Sequence, residues 1–233
     1  MHIIITRPIE DSFDLIKNLN LAGHVVTHFP LINIRKISIK NINFRNYKGL
    51  IFTSANAVKF LDKKNIPKNI QCFCVGEVTE KKAKMYGFYN AISAGGNVET
   101  LIELIIRTFD KNSGKLLYLS SEFISKELDV ELKRRGYLVD RVINYTSDPI
   151  GEIEKNTLDY IKKNNPDVIY VYSEKSAINL KDLINKYSLV DVMTQSNLMC
   201  ISKKILKVLE FVKWKRVIFF NPGEEEFFLN KVK

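Results

Sequence analysis

Short apolar runs rich in Ile, Val, Leu and Phe alternate along this chain with stretches whose apolar residues recur every three or four positions. The first pattern predicts buried strands and the second predicts amphipathic helices. Strands are expected at His2–Thr6, His24–His28, Gly49–Thr53, Gln71–Val75, Lys115–Leu119, Leu138–Asn144, Asp167–Tyr172, Leu198–Ile201 and Arg216–Phe219. A helix over Asp11–Ala22 carries Leu15, Ile16 and Leu19 on one face and ends at Gly23, a C-cap residue. Further helices are expected to begin near Ala55, Thr79, Val98, Ser125, Glu152, Ser176, Lys203 and Glu224. Alternating strands and helices of this kind predict an α/β protein with parallel sheets flanked by helices.

Three unit types recur in the same order. Ile3-Ile4-Ile5-Thr6 through Gly23-His24-Val25-Val26 is matched by Leu116-Leu117-Tyr118-Leu119 through Gly136-Tyr137-Leu138-Val139. The stretch Leu50–Ala57 is matched by Ile169–Ser176, and Cys72–Gly76 by Leu198–Ser202. A degenerate duplication of this kind predicts two similar α/β domains. Candidate connectors lie around Arg35–Tyr47 and Thr146–Ile153, the second with the turn or hinge composition Ser147-Asp148-Pro149-Ile150-Gly151.

Composition narrows the function classes. The 233 residues are 45% hydrophobic, which suits one or two packed domains and excludes a disordered chain. No apolar run approaches the roughly 20 residues that span a bilayer, and the N-terminus reads as a strand rather than a signal peptide. Cys72, Cys74 and Cys200 lack metal-site spacing, so no metal or disulfide framework is expected and a cytoplasmic location fits. The net charge of +10 is compatible with an anionic partner, but the lysines are scattered among acids, as in a chain with a Lys, Asn and Ile bias. No basic stripe interleaved with aromatics points to nucleic acid.

Parallel sheets bind ligands where strand carboxyl ends lead into helix N-termini. Small and hydroxyl residues cluster at those ends: Thr6-Arg7, Thr53-Ser54-Ala55-Asn56, Gly76 with Thr79, Ser120-Ser121, Ser173 with Ser176, and Ser202. Together they predict an anion-accepting edge on each sheet. Singly, each is also an ordinary helix N-cap. No nucleophile elbow, P-loop, dinucleotide fingerprint or zinc motif is present. His2, His24 and His28 all fall on the first two strands, as packing or edge residues would, and Glu224-Glu225-Glu226 suits the start of a helix through its dipole. Tyr145 follows a strand just before the second connector, where a phenol can donate a proton but is a poor base.

Several segments together resemble the uroporphyrinogen-III synthase family. Ile4-Ile5-Thr6-Arg7-Pro8 resembles its first strand and turn, and Phe29-Pro30-Leu31-Ile32 its exit from the first domain. Ile51-Phe52-Thr53-Ser54-Ala55-Asn56-Ala57-Val58 is similar to the family's FTSxNAV stretch. Cys74–Thr79 followed by Gly87-Phe88 is similar to its VGxxTA and GF unit, and Val142-Ile143-Asn144-Tyr145 to its VY. Tyr172-Ser173 with Ser176-Ala177, then Cys200-Ile201-Ser202, resemble the units of the returning domain.

The resemblance implies one domain from residues 1–35 plus 150–233, an inserted domain from 40–145, a two-stranded linker and an active site in the interdomain cleft. It also implies conversion of hydroxymethylbilane to uroporphyrinogen III in haem biosynthesis, with loss of water, inversion of the D ring and no cofactor or metal. The partner is then a linear tetrapyrrole polycarboxylate, bound by a monomer. Proximity and orientation would supply most of the rate, so no conspicuous catalytic set is needed. Tyr145 becomes the candidate general acid. Arg7, Thr53, Ser54, Asn56, Gly76, Thr79, Ser173, Lys175, Ser176, Ser202 and Lys203 become candidate substrate contacts, with Arg7, Lys175 and Lys203 as carboxylate anchors.

Three positions depart from the family pattern: Ser120-Ser121 where Gly is frequent, Ser202-Lys203-Lys204-Ile205 in place of a GPTT-like loop, and Glu80 in place of Ala. The competing reading is a non-catalytic, two-domain cleft-type binding protein for a polyanionic small molecule.

Overall fold

The computed structural model describes residues 1–39, 42–61 and 66–229. It divides into two compact units, Met1–Asn33 with Asp148–Lys233, and Ile34–Ser147. Residues 40 and 41, where the inserted domain is expected to begin, lie outside the described residues, as do residues 230–233 at the end of the other.

The first unit is entered through β1 (His2–Ile5), α1 (Phe13–Leu21) and β2 (Val25–His28). The chain leaves it along β3 (Ile32–Lys36). The second unit continues with β4 (Tyr47–Phe52), α2 (Ala55–Lys59), β5 (Gln71–Cys74), α3 (Glu77–Met85), β6 (Ala91–Ser93) and α4 (Val98–Thr108). It closes with β7 (Lys115–Ser121) and α5 (Leu128–Arg134), and β8 (Val139–Pro149) carries the chain back. The first unit is then completed by α6 (Lys155–Lys163), β9 (Val168–Val171), α7 (Glu174–Lys186), α8 (Val190–Thr194), β10 (Asn197–Cys200), α9 (Lys203–Leu209), β11 (Arg216–Phe219) and α10 (Glu225–Leu229).

The first unit's sheet has the order β11-β10-β9-β1-β2, and the second's β3-β8-β7-β4-β5-β6. The pairings β1–β2, β1–β9, β9–β10 and β10–β11, and β4–β5, β4–β7, β5–β6 and β7–β8, are all parallel. The order explains the repeat. β1 and β7, β9 and β4, and β10 and β5 occupy equivalent positions in their sheets, although the second sheet is threaded in a permuted order.

Alternation along the strands feeds two cores per sheet. Ile4, Ile169 and Leu198 pack toward Leu180, Leu183 and Ile205 of α7 and α9, whereas Ile3, Ile5 and Tyr170 pack toward Leu19 of α1 and Leu229 of α10. In the second unit Leu50, Phe52 and Leu117 face Val58 of α2 and Ala83 of α3, while Ile51, Phe73 and Tyr118 face Leu101 of α4 and Leu132 of α5. Both faces are covered, so these strands are continuously apolar in sequence. Each fully buried Leu, Ile or Phe contributes about 1.5–3 kcal/mol.

The chain crosses between the units at Asn33/Ile34 and Ser147/Asp148, and one expectation there, the turn, needs correction. Residues 146–149 extend β8 instead of forming a turn. Pro149 is the last residue of that strand, and the next amide, Ile150 N, donates to Leu31 O at 3.1 Å. Ile32–Lys36, which overlaps the first connector at Arg35 and Lys36, forms the edge strand β3, and those two are the charged residues that edge strands tolerate. Buried amides tie these segments down. Asn179 donates to Leu31 O at 2.5 Å and Ile150 O at 3.1 Å, and Asn144 donates to Ala57 O at 2.7 Å.

Candidate functional site

Each sheet has a place where neighbouring strands connect outward in opposite directions, and a ligand crevice is expected at the carboxyl ends there. In the first unit this lies between β1 and β9, and in the second between β4 and β7. The first position brings Arg7, after β1, beside Ser173, after β9. The second brings Thr53, after β4, beside Ser121 at the end of β7.

The second unit holds a depression of about 200 Å³ at that position, lined by Thr53, Tyr118, Ser121, Phe123, Lys126 and Tyr145 among others. Two tyrosines reach it from opposite faces of the sheet. Tyr118 belongs to the core under α4 and α5, Tyr145 to the core under α2 and α3, where its ring lies 6.4 Å from that of Phe60. Thr53 Oγ1 and the Tyr118 hydroxyl are 3.1 Å apart.

Tyr145 is 8% exposed, and burial raises its pKa above the ordinary phenol value. The Ser54 and Ser121 hydroxyls pull the other way, although Ser121 Oγ meets no partner in ordinary hydrogen-bonding geometry. Burial likewise raises Tyr118, and the Thr53 hydroxyl and Arg141 oppose it. Both phenols are therefore protonated donors at neutral pH.

The strand end carrying Tyr145 is braced. Glu122 N donates to Tyr145 O at 3.0 Å, and Thr146 Oγ1 donates to Glu122 Oε2 at 2.9 Å. Arg141 donates to Ser120 Oγ at 2.9 Å, Ser121 O at 3.0 Å and Glu122 O at 3.1 Å. That clamp fixes the loop forming one wall of the depression.

The other candidates divide by burial. Ser54, Ser173 and Ser202 are N-caps, accepting from Asn56 N at 3.2 Å, Ser176 N at 3.0 Å and Ile205 N at 3.4 Å. Asn56 stands partly exposed in the first turn of α2, and Gly76 is the extended N-cap of α3, with nothing within 4 Å of an added Cβ. Thr79 and Ser176 are buried inside their units, the latter with its hydroxyl 2.8 Å from that of Ser173. Lys175 is half-buried on α7 and Lys203 is exposed on α9.

In the first unit the Arg7 guanidinium lies 4.5 Å above the Tyr172 ring and 3.7 Å from Glu225 Oε1. Glu225 is 5% exposed and also accepts from Gly223 N at 2.7 Å. The buried Tyr172 hydroxyl is close to that carboxylate without a well-formed hydrogen bond, and burial first and Glu225 second push its pKa up.

Tyr118, Arg141 and Glu225 were not candidates from the sequence. Tyr118 sits within an apolar strand and has the signature of a core residue. Glu225 has that of a helix-dipole acid. Among the described residues no three His, Cys, Asp or Glu gather as a metal site, and no helix is long and apolar enough to cross a membrane. The three cysteines are buried and unpaired by disulfide.

Comparison by sequence with curated proteins gives no match. Among solved structures, uroporphyrinogen-III synthetase from Helicobacter pylori shares the fold at 17% identity, covering 99% of this chain and 98% of that one, with a TM-score of 0.66. A mutant uroporphyrinogen III synthase from Thermus thermophilus aligns at 13% identity, covering 100% and 98%, with a TM-score of 0.61. The family model described as uroporphyrinogen-III synthase HemD matches residues 14–225. With that match spanning most of its length, the chain belongs to the uroporphyrinogen-III synthase family, lyases of haem biosynthesis.

Proposed function

We propose that the chain closes hydroxymethylbilane to uroporphyrinogen III with Tyr145 as the general acid. The observation that carries this reading is the phenol itself, buried and protonated in the wall of the depression beside Thr53 and Ser121. Its proton leaves with the substrate's hydroxide as water, generating the cationic azafulvene. The phenolate takes back the proton shed when the ring closes, so no net proton is consumed. A donor whose pKa burial raises is a weak acid, and a weak acid suffices for a substrate already primed to ionise.

The substrate's carboxylates are proposed to meet Arg7, Ser173, Lys175, Ser202 and Lys203 on the first unit, and Thr53, Ser54, Asn56 and Gly76 on the second. Thr79 and Ser176 are buried on α3 and α7, which speaks against direct substrate contact for these two. The reading further includes a cofactor-free reaction, a monomer and a cytoplasmic location. The family match favours this enzyme over the non-catalytic binding protein. The test is product analysis: purified protein with hydroxymethylbilane gives mainly the type III isomer after oxidation and chromatography. Only the type I isomer, at the spontaneous rate, overturns the reading.

A further inference from the structure

We infer that Tyr118 is a positioning residue of the same site, acting through Thr53 to aim that hydroxyl into the depression. The inference rests on the proposed synthase reading. Tyr118 is 1% exposed, and its ring is fixed among Leu101, Ile105, Leu128 and Leu132. Its hydroxyl emerges at the sheet edge, 3.1 Å from Thr53 Oγ1, and both residues line the depression that holds Tyr145.

A threonine hydroxyl rotates freely and gives no fixed donor direction by itself. A phenol is the more acidic partner, and the core holds this one in a single direction. When Tyr118 donates to Thr53 Oγ1, the threonine proton must point elsewhere, and the open side is the depression. Tyr145 enters from the opposite face of the sheet, so the substrate meets two hydroxyl donors set by two separate cores. One of them moves a proton. The other holds a substrate oxygen in register while that happens, which belongs to orientation rather than chemistry.

Tyr118→Phe keeps the ring and its packing and removes only the hydroxyl. The expected result is a roughly fivefold to tenfold drop in kcat, the scale of one hydrogen bond, with KM within about twofold and a larger type I fraction in the product. Thr53→Val, which also removes the substrate contact itself, is expected to lose at least as much in kcat and to raise KM. Thr53→Ser is expected to retain activity within about twofold, and the Tyr118→Phe/Thr53→Val double variant to be no slower than Thr53→Val alone. Melting temperatures check that each variant folds. Should Tyr118→Phe be less stable, its turnover is read below its melting temperature against wild type at the same temperature, with the Thr53→Val and Thr53→Ser pair checking the hydroxyl that Tyr118 aims.

Wild-type turnover in Tyr118→Phe, multiplicative losses in the double variant, or equal losses in Thr53→Ser and Thr53→Val would each overturn the inference. Wild-type protein run alongside separates the two levels. Type III product from wild type with an unaffected Tyr118→Phe removes Tyr118 alone, whereas type I product from wild type removes the synthase reading and this inference with it.

Discussion

The two sheets share a strand order yet present different chemistry at equivalent edges. Between β4 and β7 the second unit offers two buried phenols with the Thr53 and Ser121 hydroxyls around a small depression, whose lining lysine, Lys126, is paired with Glu99. Between β1 and β9 the first unit offers a cation, Arg7, already occupied by the buried Glu225 and stacked on Tyr172. A duplicated architecture thus fixes where a ligand edge lies, and the side chains placed there decide what the edge does. Neutral donors in a buried wall suit proton transfer. A half-exposed guanidinium held by a carboxylate suits exchange of one carboxylate partner for another.

The largest expected effect tests the proton-transfer half of this contrast. Tyr145→Phe keeps the ring against Phe60 and should slow turnover by about 10-fold or more, the range for losing a general acid, with KM little changed. Steady-state kinetics with isomer analysis measures it. Unchanged turnover would return Tyr145 to packing and leave the second edge without an acid. The pH profile sharpens the same point. The active form is the neutral phenol, so activity is retained below its pKa and lost as pH rises through it. Burial raises that pKa, so the alkaline limb of kcat should lie above pH 10, where a free phenol already ionises.

Stability should bend in the opposite pH region from acid unfolding. Tyr118, Tyr145, Tyr170 and Tyr172 all have raised phenol pKa values from burial. Unfolded, each ionises near 10, and folded, each ionises later, so the stability present below pH 10 falls as pH rises past it. Thermal melts across pH 9 to 11 should show a declining midpoint, and a flat profile would mean that the phenols open to water before the fold is lost.

Much of this was legible in the sequence, for reasons that also mark the failures. The continuous apolar runs of β1, β4, β5, β7, β9 and β10 stand out because both sheet faces are covered. The edge strands β3 and β6 escaped notice: the first carries Arg35 and Lys36, and the second is only three residues long. Hydroxyls at the strand ends were visible, yet whether a serine caps its own helix or faces a ligand depends on rotamers that no linear spacing encodes. Tyr118 was hidden by success of another kind. Its ring is core, and only its oxygen belongs to the site.

The cationic edge can be broken separately. Glu225→Ala removes the carboxylate that holds Arg7 and receives Gly223 N. Losing a buried, charged acceptor should cost about 1–3 kcal/mol, read as a lower unfolding midpoint in denaturant. Glu225→Gln should cost less, because an amide oxygen can still accept from Gly223 N. In the same variant Arg7 is released, so KM for the polycarboxylate substrate should fall or stay level while kcat is unchanged. A KM that rises in Glu225→Gln would show that the pair, and not the cation alone, shapes the first edge.

The smallest expected effect on the fold is the most discriminating for the second edge. Gly76 has an extended backbone that any residue adopts, and nothing lies within 4 Å of an added Cβ. Gly76→Ala should therefore leave the melting temperature within the scatter of a neutral surface change, about 0.5 kcal/mol or less. The contrasting control is Gly49, where the same methyl would stand 2.7 Å from Leu116 Cδ2 and 3.1 Å from Phe73 Cε2 and must displace packed side chains. With the fold of Gly76→Ala intact, any rise in KM measures how closely the substrate approaches the α3 N-cap. A KM equal to wild type would take Gly76 off the binding edge and confine substrate contacts on this unit to the neighbourhood of Thr53 and Tyr145.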